Sequence, residues 1–334
     1  VKAAAVRAAG TSAPRPRRRR LRERPWWPWA TRGATLAFLG LVVWLIARHA
    51  RTVDWDDVLA TLRDYPVATL AGAAALAAAS HALYSVYDLL GRRYAGHTLP
   101  VRTVMALTFV VYVFNMNLGS LVGSVGLRAR LYTRLGLAPN VIARVLSISL
   151  LTNWSGYLLL AGALFALRPL ELPPDWKLDA GGLRGLGVAM LAVVAGYLAV
   201  CARWHDQTWT VRGHEIRPPT LRFASLQLAV SMANWAVIGA TVWVLLQGRV
   251  SYPGVLGVLL VAAVAGVVTH VPAGLGVLEA VFVALLSHVV PVPKLLAALL
   301  AWRAIYYLAP LAAATVVYAV VEARARRDAR RAGG

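Results

Sequence analysis

Along the chain, oily runs long enough to cross a bilayer alternate with short polar stretches. The runs fall at about 31–49, 66–90, 101–122, 141–167, 183–202, 221–246, 254–290 and 294–321. A hydrocarbon core is ~30 Å thick, and a helix rising ~1.5 Å per residue crosses it with ~20 apolar residues. The pattern predicts an all-α polytopic membrane protein. Two runs break the rule. The run 101–122 is smooth to Phe114 and then reads NMNLGSLVGSVG, while 254–290 has the length of two passes and is interrupted by VPAGLG. Proline removes a helix donor and glycine frees the backbone, so both stretches are expected to stop a helix. Read as re-entrant helical hairpins, they leave about six full transmembrane helices.

Charge changes that picture by giving it a direction. The formal net charge is +21. The basic residues sit in the tails and in short loops between oily runs, which argues against a nucleic-acid partner and for positive-inside bias. If 101–122 crossed fully, the acid-free loop bearing Arg128, Arg130, Arg134 and Arg144 would lie outside. A hairpin returning to the inner side removes the conflict; its first arm, 101–114, would span only ~21 Å. The expected plan is a basic disordered cytoplasmic tail (1–30), a first repeat (31–167) with an inner hairpin near 101–127, and an outer loop (168–182). A second repeat (183–322) with an outer hairpin near 254–290 and a basic cytoplasmic tail (323–334) complete it. Both termini are then cytoplasmic, and the halves share one element order with opposite topology. That inverted 4+4 repeat is the common architecture of alternating-access transporters. Residues 53–64 predict an outer-surface amphipathic helix, and 203–219 a small cytoplasmic β-hairpin.

Ionisable residues inside an oily run are costly, so each is a site hypothesis. Glu279 follows Gly276 by three residues and falls in the first turns of the second hairpin's return helix, where the helix dipole favours an anion. It either braces the hairpin or handles substrate or protons. Pro272, Gly274 and Gly276, with His270 just before them, form that hairpin's tip. Arg303 lies nine residues past Lys294, ~13 Å into the last helix, too deep to snorkel out, and Glu279 is its nearest partner by depth. Tyr306 stands near Arg303, and Pro310 predicts a kink beside it. The first hairpin offers Asn115, Asn117, Gly123 and Gly126, with Arg128 two residues beyond the last glycine and Arg130 and Arg134 further on. His81 and Asp88 share one face of the run 66–90 with Tyr84 and Ser85, and Asn153 is an intramembrane amide suited to interhelical hydrogen bonding.

Catalysis finds no template. HExxH, GxSxG, a Walker loop and a CxxC pair are all missing from the sequence, and the lone Cys201 reads as a buried apolar residue. No metal or cofactor is expected, and ATP-driven transport by this chain alone is excluded.

The run FNMNLGSLVGSVGLRARLYTRLGLAPNVIARVLSISLLTNWSGYLLLAG, with VTHVPAGLGVLEAVFVALL and WRAIYYLAP, resembles the transmembrane-domain family of lysylphosphatidylglycerol synthases. It is most similar to the stand-alone inner-membrane members of Gram-negative bacteria, and the likeness covers roughly residues 30–322. In the synthases this domain moves the aminoacylated lipid and a separate soluble domain makes it. The chain ends at Gly334 after a basic tail, so a stand-alone membrane domain is expected. The resemblance matches Pro272, Gly274, Gly276 and Glu279 to the family's hairpin motif, Gly126 and Arg128 to its glycine-to-arginine motif, and Arg303 to its last-helix arginine. It implies an ATP-independent lipid translocase, flippase- or scramblase-like, for anionic phospholipid in the bacterial inner membrane. In that reading Arg128, Arg303, Glu279, Asn115, Asn117 and Tyr306 contact substrate. The other class considered is a non-transporting scaffold or regulator of lipid-synthesis enzymes. A homo-oligomer or such an enzyme would be the protein partner.

Overall fold

Trp55–Arg63 (α1) is the short amphipathic helix anticipated at 53–64; it leads through Tyr65 and Pro66 into Val67–Ala95 (α2). The protein is described from a computed structural model, over residues 55–168, 180–211, 214–269, 271 and 274–332. The tail 1–30, the first oily run and most of the loop 168–182 lie outside those residues. The chain continues as Val101–Leu118 (α3), the π-helical segment Ser120–Leu127 (π1), Arg128–Arg134 (α4), Pro139–Leu167 (α5) and Ala180–Arg203 (α6). A two-stranded antiparallel hairpin follows, Trp209–Val211 (β1) and His214–Ile216 (β2), with Thr210 opposite Glu215. Then come Leu221–Leu245 (α7), Tyr252–Thr269 (α8), Val277–Leu286 (α9), Val292–Arg303 (α10), a second π-helical turn Ala304–Leu308 (π2), and Ala309–Ala332 (α11).

Among the described residues six stretches have the length and apolarity to cross a membrane: α2, α5, α6, α7, α8 and the continuous run Val292–Val320. Their surfaces say what solvent they expect. On α6 only Leu183, Gly187, Val194 and Cys201 are buried, one stripe at near-heptad spacing, while Leu186, Val188 and Val193 face outward. A helix apolar on its outer face as well as its packed one is at home in hydrocarbon, not water.

α2 and α7 pack along their lengths, with α5 against both and α6 outside α5. Close approach depends on small residues. A Cβ added at Gly156 on α5 would run into the Ser231 side chain on α7 and stand 2.9 Å from the Met232 nitrogen. Tyr65 closes one end of this bundle by donating to the Leu245 carbonyl at 2.6 Å. Tyr94 closes the other by donating to the Arg217 carbonyl.

Two expectations need correction. α3 does not stop at Phe114; it runs to Leu118, ~27 Å. The amides do not break it, because Asn117 Nδ2 turns back onto the Val113 carbonyl at 2.8 Å. The chain turns at Gly119, whose φ of 85° suits glycine, and π1 then packs back on α3. Finally, α11 continues to Ala332 through the basic stretch rather than ending before it, in keeping with the helix propensity of alanine, glutamate and arginine.

Candidate functional site

Each interrupted helix carries an arginine locked to a carboxylate. In the second half Gly276, held at a φ of 76°, caps the start of α9, and Glu279 occupies the first turn of that helix. The Gly276 N–H donates to Glu279 Oε2 at 2.9 Å, so the carboxylate satisfies one of the helix's orphan donors. The same carboxylate accepts from Arg303 Nε and, at 3.0 Å, from Arg303 Nη2. Nη2 also donates to the Gly274 carbonyl at 3.1 Å. The fork of Arg303 thus staples the 274–279 turn to the end of α10, and the Tyr307 ring lies 5.4 Å from its guanidinium carbon. Of this pair, 10% of the arginine and 16% of the glutamate side chain is exposed.

The first-half pair is drier. Arg128 opens α4 directly after π1, and its Nε and Nη2 donate to the two oxygens of Asp88 on α2 at 3.1 and 3.0 Å. Its Nη1 meets Ser124 at 3.1 Å, and Tyr132 donates to Asp88 at 3.0 Å. The side chains are 1% and 0% exposed. Bidentate geometry and the added hydroxyls offset the large cost of desolvating two charges. Sequence reasoning set Arg128 out to meet substrate and left Asp88 without a named partner; they hold each other.

Between the pairs lies a buried polar and aromatic cluster. Tyr84 on α2 stacks on Tyr112 of α3 with centroids 3.5 Å apart. Tyr112 and Tyr306 share a hydroxyl contact of 3.2 Å, and Tyr306 meets Ser80 at 2.6 Å, which donates to Asn234 on α7 at 2.7 Å. The His81 ring lies 4.8 Å from that of Tyr306 and 5.4 Å from that of Tyr112. Its Nδ1 faces the Ala77 carbonyl at 2.8 Å, and its buried Nε2 has no partner among the described residues. The cluster therefore draws on α2, α3, α7 and π2, and the two ion pairs add α4, α9 and α10.

The π turns were not legible in the hydropathy. Arg303 ends α10 just before π2, and Arg128 begins just after π1. Pro310 has no N–H for the Tyr306 carbonyl four residues back, a local reason for the altered register. The kink expected there takes the form of a π turn.

The remaining expected residues scatter. Gly123 and Gly126 lie within π1. Asn115 Oδ1 is buried without a partner among the described residues. Asn153 contributes its backbone carbonyl, accepting from Ser231 at 3.1 Å. Arg134 lines a groove of about 350 Å³ with Arg102 and Tyr318, and Arg130 is exposed on α4. His270 and Pro272 lie outside the described residues. Among those residues no cluster of three His, Cys, Asp or Glu could hold a metal.

A bundle of apolar helices whose interior charges are paired beside helix breaks defines a multi-pass membrane protein. The match is more specific than that: residues 33–314 fit the family model described as the lysylphosphatidylglycerol synthase TM region. The chain belongs to this family, as the sequence resemblance implied. It is 43% identical over 304 residues to a protein of Escherichia coli K12 named inner membrane protein YbhN, covering 91% of this chain and 96% of that one. It is also 32% identical over 290 residues to the uncharacterized protein slr0712 of Synechocystis, covering 83% and 87%.

Proposed function

We propose that this protein is an ATP-independent translocase, flippase- or scramblase-like, for anionic phospholipid in the bacterial inner membrane. The observation that carries the proposal is the placing of two bidentate arginine–carboxylate pairs beside helix breaks, joined through one buried tyrosine cluster. A phosphodiester offers an arginine fork the same paired oxygens as a carboxylate. A lipid phosphate can therefore replace Glu279 on Arg303, and protonation of the displaced glutamate compensates the charge. Arg303 is the first to exchange because its pair is the more exposed, and Arg128 is the second.

In this reading α3 to α4 and α8 to α9 are re-entrant hairpins from opposite faces, the halves are inverted repeats, and both termini are cytoplasmic. Support comes from the groove shared by Arg102 and Arg134, which brings both ends of the first hairpin together. A second cavity, lined by Leu245, Arg249 and Lys294, gathers the approach to α8 and the start of α10. The inner-membrane assignment rests on the name of the Escherichia coli relative.

Purified protein in liposomes containing NBD-labelled phosphatidylglycerol, with dithionite added outside, tests the reading. The wild type is expected to expose inner-leaflet label faster than empty liposomes, and Glu279→Gln and Arg303→Ala to slow it at least tenfold. Rates equal to empty liposomes, or untouched by both substitutions, would overturn it.

One observation favours a second reading. Tyr306, Trp302, Tyr87 and Phe282 are at most 2% exposed, so the interior of this conformation is packed shut. A scaffold for lipid-synthesis enzymes needs no opening. It predicts no transport and a stably co-purifying enzyme whose retention is insensitive to Glu279→Gln.

A further inference from the structure

At the end of the bundle where α2 finishes and α7 begins, a cavity of about 600 Å³ opens among Arg93 and Tyr94, the 217–220 connection, and Arg222, Phe223 and Leu226. None of the charge machinery described above reaches it. Its own charge is lopsided. Arg93, Arg217 and Arg222 line the cavity together with His205, and Asp206 beside it takes Arg217 Nη2 at 3.1 Å and His205 Nε2 at 3.2 Å. Arg217 and Asp206 are 60% and 76% exposed, so solvent screens that pair and an anion can compete for the arginine. Arg93 and Arg222 are exposed and have no acceptor among the described residues. The α7 N-terminus adds its partial positive charge with no acid in the first turn, and Thr220 caps only the Phe223 N–H.

The cavity is built rather than incidental. Arg217 is set by its Nε bond to the His205 carbonyl at 2.9 Å, and the Tyr94 hydroxyl fixes the backbone of the same residue. The ring of Tyr94 also packs against Phe223. On its membrane side the cavity gives onto apolar surface, because Leu221 and Leu226 of α7 are each 44% exposed. A basic pocket at the polar end of membrane helices with an oily outlet is the form that holds lipid headgroups.

We propose that this cavity is a resident binding site for an anionic glycerophospholipid, its phosphate on Arg93, Arg222 and Arg217 and its chains along Leu226. The bound lipid bridges α2 and α7, the helices that carry Ser80, His81 and Asn234. The proposal needs these helices to lie in a bilayer, and it does not need the protein to move lipid.

The test is a binding titration of the purified protein in dodecyl maltoside with dioleoyl phosphatidylglycerol, dioleoyl phosphatidylcholine and inorganic phosphate. Phosphatidylglycerol is expected to bind and raise the melting temperature, with phosphatidylcholine much weaker. At ~1 kcal/mol per arginine, the Arg93→Gln/Arg222→Gln double variant is expected to weaken phosphatidylglycerol roughly 20- to 30-fold. Arg184→Gln, at the opposite end of α6, leaves it unchanged. Both altered positions are exposed, so folding is not at stake. Equal binding of the two lipids, or undiminished binding by the double variant, overturns the site. Displacement by inorganic phosphate at equal concentration makes the occupant a soluble anion and overturns it too. Failure of the NBD-lipid assay alone leaves this binding result standing.

Discussion

The two ion pairs have the same chemistry and different surroundings, and that difference fixes what their removal does. Asp88→Asn leaves the Arg128 charge sealed among Ser124, Ser149 and Tyr132 with no counter-ion. Orphaning a buried charge costs about 3–5 kcal/mol. Glu279→Gln leaves Arg303 with the Gly274 carbonyl and partial access to water, and glutamine can still accept from the Gly276 N–H. A cost nearer ~1–2 kcal/mol is expected. Thermal unfolding in detergent should therefore place Asp88→Asn well below Glu279→Gln; the reverse order would mean that burial does not govern these pairs. The Glu279–Arg303 pairing was legible in the sequence because both residues lie on neighbouring elements at computable depth. The Asp88–Arg128 pairing was not, since the two are 40 residues apart and meet only because π1 folds back on α3, which itself packs on α2. The signal was present: an acid without a partner in one helix and an arginine at the edge of an acid-free loop.

Helix contacts in this molecule are set by backbone proximity more than by bulky interdigitation, because lipid supplies no hydrophobic drive between helices. Gly156 is where that matters most for the α5–α7 contact. Gly156→Ala forces the Ser231 turn outward, at an expected ~1–3 kcal/mol. Gly196 on α6 has open space around its Cβ position, so Gly196→Ala is expected to be neutral or stabilising by ~0.5–1 kcal/mol. Equal melting temperatures for the two variants would contradict the close-contact account. The hydropathy and polar patterning anticipated the membrane-length helices, the amphipathic α1 and the β-hairpin, but it read Arg128–Arg134 as loop where the chain forms α4. It could not anticipate π1 and π2, since a single added residue per turn leaves hydropathy unchanged. It also misjudged the end of α3, where Asn115 and Asn117 read as a break although an asparagine amide can fold back onto its own helix.

The arrangement of the whole chain in the bilayer turns on whether α3 to α4 and α8 to α9 return to the side they left. Arg102, near the start of α3, and Arg134, at the end of α4, line one groove, which places them at the same end of the bundle. Gln247 before α8 and Lys294 at the start of α10 line another. Arg217 lies with Tyr94, at the end of α2 away from Tyr65 and Leu245. The native Cys201 is fully buried, so single cysteines can be read against a silent background. In cells or oriented vesicles, a membrane-impermeant maleimide should label Arg102→Cys, Arg134→Cys and Arg217→Cys from one side, and Gln247→Cys and Lys294→Cys from the other. Labelling of Arg102→Cys and Arg134→Cys from opposite faces would make α3 to α4 a full crossing. The second half would then no longer be the inverse of the first, and the exchange of lipid phosphate between Arg303 and Arg128 would lose its symmetric frame. The two outcomes separate cleanly because the groove requires the two arginines to be neighbours while a crossing requires them to be a bilayer apart, ~30 Å.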